Sequence, residues 1–214
     1  MLPLLAVTCQ KNAPVGPAWV KVLDMRFNGS FADSTGRHAP YSYGAVISSA
    51  HSVEGGSSMY ANQDGRVFTD NYGGDHGDFD FTGRDFRVVC RIRPISIGND
   101  YVWCKTSGGN LGVNLKLGMA GADPVVYLWP MVTDVGAIVP DLLTGKWTKV
   151  EVTRIGSTWS LLIDDVVVSS AVSDAAHWLG SWEGGSGFRA FLIAGAANAD
   201  RYSGWIDQFE IYIN

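Results

Sequence analysis

Apolar and polar residues alternate along much of this chain, the two-residue period of a half-buried β-strand rather than the 3.6-residue period of a helix. Phe86, Val88, Cys90 and Ile92 share one parity, while Arg87, Arg91 and Arg93 share the other. That pattern predicts a strand with an apolar inner face and a positive outer stripe. Pro94 and Gly98-Asn99-Asp100 turn the chain into a strand over residues 101–105. Leu111, Val113, Leu115 and Leu117 then alternate with Gly112, Asn114 and Lys116, a second one-faced strand. Residues 125–129 are apolar on both parities, as a strand covered on both sides would be.

Further on, Val150 and Val152 face away from Lys149, Glu151 and Thr153. Gly156-Ser157 leads into Trp159, Leu161 and Ile163, and Asp164-Asp165 leads into residues 166–168, which together predict a three-strand meander. Residues 188–193 and 205–213 supply the last strands, and residues 20–27, with Leu23, Met25 and Phe27 on one parity, supply the first. Helical periodicity is confined to one short turn over residues 174–179. Residues 1–18 carry Pro3, Pro14 and Pro17 without a period and form an arm outside the folded domain, which spans 19–214. The arm either lies on a neighbouring chain or frays as a free terminus.

Composition narrows this to an all-β protein. Only 17% of the 214 residues are charged, while Gly occurs 26 times, Trp eight, Tyr eight and Phe nine, a mixture suited to short strands joined by turns. A net charge of −5 provides no basic excess for phosphates, so nucleic acid and anionic membranes are excluded as partners. No apolar run reaches the ~18 residues of a membrane span, and residues 1–7 lack the charged n-region of a signal peptide. Cys9, Cys90 and Cys104 cannot make a complete disulfide framework. Cys90 and Cys104 either form one cross-strand bridge or act as two small buried apolar residues, and the second reading is preferred.

Several segments, in order, resemble the concanavalin A-like lectin/glucanase superfamily in its laminin-G-like branch. Val22-Leu23-Asp24-Met25-Arg26-Phe27 with Asp33-Ser34-Thr35-Gly36 resembles the first strand and its turn. Gly56-Ser57-Ser58-Met59-Tyr60, followed by Asp64-Gly65, is similar to the next. Asp78-Phe79-Asp80-Phe81, Gly83 and Asp85-Phe86-Arg87-Val88 resemble the strand that ends here at Pro94. Gly145-Lys146-Trp147-Thr148-Lys149-Val150 and the hairpin from Trp159 to Asp165 follow. Gly204-Trp205-Ile206-Asp207-Gln208-Phe209-Glu210-Ile211-Tyr212 resembles the closing strand. Asp165 replaces the hairpin glycine, and Cys90 stands where the family often has Trp. The resemblance covers about residues 20–214 and implies an antiparallel two-sheet jelly-roll sandwich with first and last strands adjacent.

The chemistry this sequence supports is binding. Glycosidases of this fold place three acids on one strand face as E-x-D-x-x-E, but Glu54, Glu151, Glu183 and Glu210 are each isolated. His38, His51, His76 and His177 fall in separate segments, and no G-x-S-x-G elbow occurs. The chain is therefore expected not to be an enzyme. For a glycan, the candidate ligand residues are Tyr72, His76, Trp178, Trp182 and Glu183 in loop-like segments and Arg87 and Arg91 on an outer strand face. The strand residues Trp103, Trp147 and Trp159 are assigned to the core.

Asp207 shares its parity with Trp205, Phe209 and Ile211 and so points to the apolar side, where a carboxylate must be paired or coordinated. The resemblance implies a structural calcium near the first and last strands, with Asp207 and either Asp24 or Asp33 as ligands. The alternative is a metal-free Asp207 held by backbone N–H groups. Asp70-Asn71-Tyr72 with Asp75, His76 and Asp78 forms a second polar loop that binds an ion or is simply solvated.

The resemblance extends to domains of tailed-bacteriophage virion proteins. It implies a structural or accessory virion component, a capsid decoration or a tail or fibre part. Such a component would dock on other virion proteins or on copies of itself and touch host-surface glycans. A secreted or surface carbohydrate-binding module, or a degenerate glycoside hydrolase, is the alternative.

Overall fold

The computed structural model describes residues 18–69, 77–107, 110–129, 135–173, 191–195 and 202–214. Among them the chain forms fifteen strands, numbered in chain order, in two antiparallel sheets. The larger sheet runs in the order β13 (Val166–Val172), β12 (Thr158–Ile163), β11 (Thr148–Ile155), β6 (Phe86–Pro94), β15 (Gly204–Ile213), β4 (Ser58–Ala61) and β3 (Val46–Ser48), with β1 (Val20–Met25) also on β15. The smaller runs β10 (Gly136–Ile138), β9 (Asp123–Trp129), β8 (Asn110–Ala120), β7 (Asp100–Ser107), β14 (Phe191–Ile193), β5 (Arg66–Phe68) and β2 (Tyr41–Tyr43). First and last strands are neighbours, Leu23 opposite Ile211 and Met25 opposite Phe209. The expected all-β sandwich is the architecture found.

The core lies between the sheets and follows the alternation. Phe86, Val88, Cys90 and Ile92 point inward from β6, Val150 and Val152 from β11, and Trp159 and Leu161 from β12, all buried. Val113, Leu115 and Leu117 meet them from β8. A chain of rings links the layers: Trp159 lies edge-on to Phe86 (5.3 Å), Phe86 stacks on Phe81 (4.3 Å), and Phe191 packs on both Trp103 (5.1 Å) and Phe209 (5.7 Å). The meander closes through Asp164 and Asp165, both left-handed (φ 48° and 69°), as a two-residue hairpin requires. Asp165 performs the turn that glycine makes elsewhere.

Cys90 and Cys104 are free and buried, one in the core and the other on the far face of the smaller sheet, so no bridge joins them. Trp147 departs from expectation: it precedes β11 and is half-buried, not core. Two short 3-10 turns, Gly77–Phe79 and Pro140–Leu143, were not foreseen, while the turn expected over 174–179 lies outside the described residues. The arm proposed for residues 1–18 also lies almost wholly outside them.

The closing strand contains the largest correction. On β15, Asp207 lies opposite Arg91, yet the next paired residue, Glu210, lies opposite Val89. One extra residue is therefore inserted, and Gln208 adopts φ 51° to accommodate it. The bulge resets the alternation. Ile206 before it and Phe209 and Ile211 after it face the core, whereas Trp205 and Asp207 point to the outer face of the larger sheet. Asp207 is thus not on the side of Phe209.

Candidate functional site

The predicted calcium ligands each satisfy other partners. Asp207 is buried under the segment before β4: its Oδ2 accepts the Val53 N–H (2.8 Å) and its Oδ1 the Gln208 N–H (2.9 Å). Burial pushes this carboxyl above its usual range, outweighing the N–H groups of Val53, Gln208 and Glu54. Asp33 ties the end of β1 to the following turn. It accepts N–H groups from Asp24 (2.9 Å), Thr35 (3.0 Å), Arg37 (3.2 Å) and His38 (3.1 Å), and the Thr35 hydroxyl. Although burial acts to raise it, the Thr35 hydroxyl and these N–H groups hold Asp33 below the ordinary carboxylate range. Asp24 pairs with Lys21 (3.0 Å) and Arg26, which also reach Glu210 (2.7 and 3.0 Å). Among the described residues, no three His, Cys, Asp or Glu side chains gather closely enough to hold a metal.

Arg87 and Arg91 do lie on the outer face of the larger sheet, as the alternation predicts, but both are engaged. Arg87 forms a two-pronged pair with Glu151 (2.7 Å at each prong) and lies over the Tyr212 ring. Arg91 donates from Nε to the Gln208 side chain (2.7 Å). That face is a lattice of ion pairs. Tyr72, His76, Trp178, Trp182 and Glu183 lie outside the described residues, as do Asp70, Asn71 and Asp75 of the second polar loop.

The smaller sheet presents a different outer face. Cross-strand pairing places Tyr41, Phe68, Leu192, Cys104, Asn114 and Trp129 in one row across six strands. Tyr101, Lys116, Tyr127 and Gly136 form the next. Phe68, Tyr101, Cys104 and Leu192 make an apolar cluster separate from the sandwich core, with Tyr41 stacked parallel on Phe68 (4.8 Å). Lys116 is held between rings, its Nζ 4.2 Å from the centroid of Tyr101 and 5.4 Å from that of Trp129. Asn114 is fully buried, and among the described residues neither atom of its amide has a hydrogen-bond partner.

At the β8–β9 end this face opens into a cleft of about 390 Å³, lined by Gly98, Asn99, Gly118, Met119, Val125 and Tyr127. Two glycines set the ring of Tyr127. A Cβ on Gly118 would stand 3.1 Å from Tyr127 Cε1, and one on Gly136 would stand 2.9 Å from Tyr127 Cβ, so each absent side chain makes room for the tyrosine. The Tyr127 hydroxyl donates to Asn99 Oδ1 (2.9 Å), which fixes the ring in its plane. An immobilised aromatic ring beside a hollow of mixed polar and apolar lining, with an amide at its rim, suits the CH face of a sugar. The sequence reading missed Tyr127 because residues 125–129 are apolar on both parities. In the structure their outward residues are only partly covered, Trp129 retaining 37% exposure. Gly118 within a strand was the available signal.

No family model and no curated protein matches this sequence. Solved structures do match in shape. Domain 4 of AbnA, an extracellular arabinanase from Geobacillus stearothermophilus in complex with arabinotriose, superimposes with a TM-score of 0.63 at 13% identity, over 91% of this chain and 92% of that one. A botulinum neurotoxin type C structure, from a toxin whose cell entry depends on two ganglioside molecules, gives 0.61 at 12% identity over 90% of this chain. This chain spans about half of that one, 47%. The enzymatically active domain of tailspike protein 2 of bacteriophage CBA120 gives 0.54 at 13% identity, over 81% of this chain and 28% of that one. The shared property is the fold, a lectin-like β-sandwich.

Proposed function

We propose that this chain is a non-catalytic, lectin-like glycan-binding module of the laminin-G-like kind, and that it serves as an accessory part of a virion, on a tail, fibre or capsid surface. The observation that carries the binding reading is the Tyr127 ring, seated between Gly118 and Gly136, pinned by Asn99 and open to a cleft. Sugar-stacking sites need such a rigid, partly exposed aromatic face, and rigidity limits the entropy lost on binding. The arabinanase domain, in complex with arabinotriose, and the toxin whose cell entry depends on two ganglioside molecules support the reading by analogy of fold. The virion setting has the support of the tailspike domain.

A glycan array probed with the purified chain tests this. The chain should label a restricted set of oligosaccharides, and Tyr127→Ala should weaken that binding about tenfold, the loss of one stacked ring. Gly118→Ala should weaken it similarly while keeping the melting midpoint, since its methyl displaces the ring and the strand backbone accepts alanine. A blank array, or full binding by Tyr127→Ala, would overturn the proposal.

A further inference from the structure

The lining of the cleft says which sugars it takes. Its six residues, Gly98, Asn99, Gly118, Met119, Val125 and Tyr127, include no charged side chain. The charged residues that flank it along the strands are Asp100, Asp123 and Lys116. Asp100, two residues from Gly98, is buried and turns its Oδ2 to the Gly98 N–H (3.0 Å). Asp123 lies two residues before Val125, at the turn where β8 passes into β9, opposite Ala120. Lys116 lies opposite Tyr127 in the same row, but its ammonium is drawn between Tyr101 and Trp129, and the residue is 4% exposed.

We infer that the cleft selects an uncharged sugar, stacked by its CH face on Tyr127 and hydrogen-bonded at Asn99, and disfavours sugars bearing a carboxylate. Among the described residues the lining offers a carboxylate no cation, so one entering the cleft would lose water without that compensation and would approach Asp123, a like charge. A neutral ring needs only the uncharged lining, with the side chains of Met119 and Val125 and the amide at the rim. The protein's net charge of −5 adds to the discrimination at low salt.

This selectivity rests on the glycan-binding reading, and the test separates the two. An array printed with matched pairs, each a neutral galactose- or glucose-terminated oligosaccharide beside its sialylated or uronic acid-terminated counterpart, is probed with the full chain at low and high salt. The neutral members should bind, with their carboxylated partners about tenfold weaker and the gap narrowing as salt rises. Met119→Lys, at a residue 44% exposed and so able to carry a charge without disturbing the core, should recruit the carboxylated members. Preferential binding of carboxylated glycans by the unaltered chain would overturn the inference while leaving glycan binding intact. Binding of both members alike at low salt would also overturn it, and a blank array would remove the parent reading and this one with it.

Discussion

Asn114 allows a sharp test of how the outer face of the smaller sheet is built. Its side chain is fully buried on β8, between Cys104 and Trp129 on the adjacent strands, and among the described residues neither Nδ2 nor Oδ1 has a hydrogen-bond partner. An orphaned buried polar group costs about 1–3 kcal/mol, the water it left behind not having been replaced. Leucine has the same branching and number of side-chain heavy atoms as asparagine, although its methyl groups are bulkier, so Asn114→Leu approximates the shape and removes both orphans. It also presents an apolar side chain to the neighbouring cluster of Phe68, Tyr101, Cys104 and Leu192.

The expected outcome is a stabilisation of about 1–3 kcal/mol, with the amide's cost removed and no cavity left. In a chain of this size, about 2–4 °C accompanies each kcal/mol, so the melting midpoint should rise by about 2–12 °C. Circular dichroism melts, with urea titrations to show that the denaturant slope is unchanged, would measure it. Asn114→Ala supplies the contrast, since it removes the orphans but leaves a void, and should gain less or lose stability. A Leu variant that melts below the parent would refute the reasoning, because only an amide with a partner in solution has something to lose.

Acid stability should depend on Asp33. A carboxyl held below its usual range stabilises the fold above the ordinary carboxylate pKa, and that contribution disappears as pH falls through the lowered value. Asp33→Asn should therefore melt lower at neutral pH, with the gap to the parent closing in acid; a gap constant with pH would contradict the assignment. Asp207 should act with the opposite sign, its raised carboxyl relieving strain as pH falls, so Asp207→Asn should steepen the parent's loss of stability in acid. Arg87→Ala should cost about 1 kcal/mol, solvent screening limiting a pair whose arginine is 29% exposed, and should leave glycan titrations unchanged. Weakened glycan binding in that variant would return the site to the larger sheet.

The strands were legible wherever one face is apolar and the other polar. Residues 86–92, with arginines opposite Phe86, Val88, Cys90 and Ile92, and the meander through Asp164-Asp165 form where the alternation places them. Alternation is a local rule and holds only while the pairing register is kept. At Gln208 the register slips by one residue, and the parity that linked Asp207 to Phe209 fails, though the sequence around it reads as one unbroken strand. Nothing local in Asp207-Gln208-Phe209 marks the slip. It follows from β15 having to pair with β4 through Gly204–Ile206 and with β1 through Phe209–Ile213, two partners that meet it on the same edge. The cleft was hidden for the converse reason. Val125, Val126, Tyr127, Leu128 and Trp129 are apolar on both faces, so no polarity in the sequence says which face is open. The glycines do carry that information, because a strand interior keeps Gly at a cost of about 0.5–1 kcal/mol relative to alanine. At Gly118 and Gly136 that cost is balanced by the space they leave to Tyr127, which makes a small residue beside an aromatic one in the next strand the more informative sign of a binding surface in such a sheet.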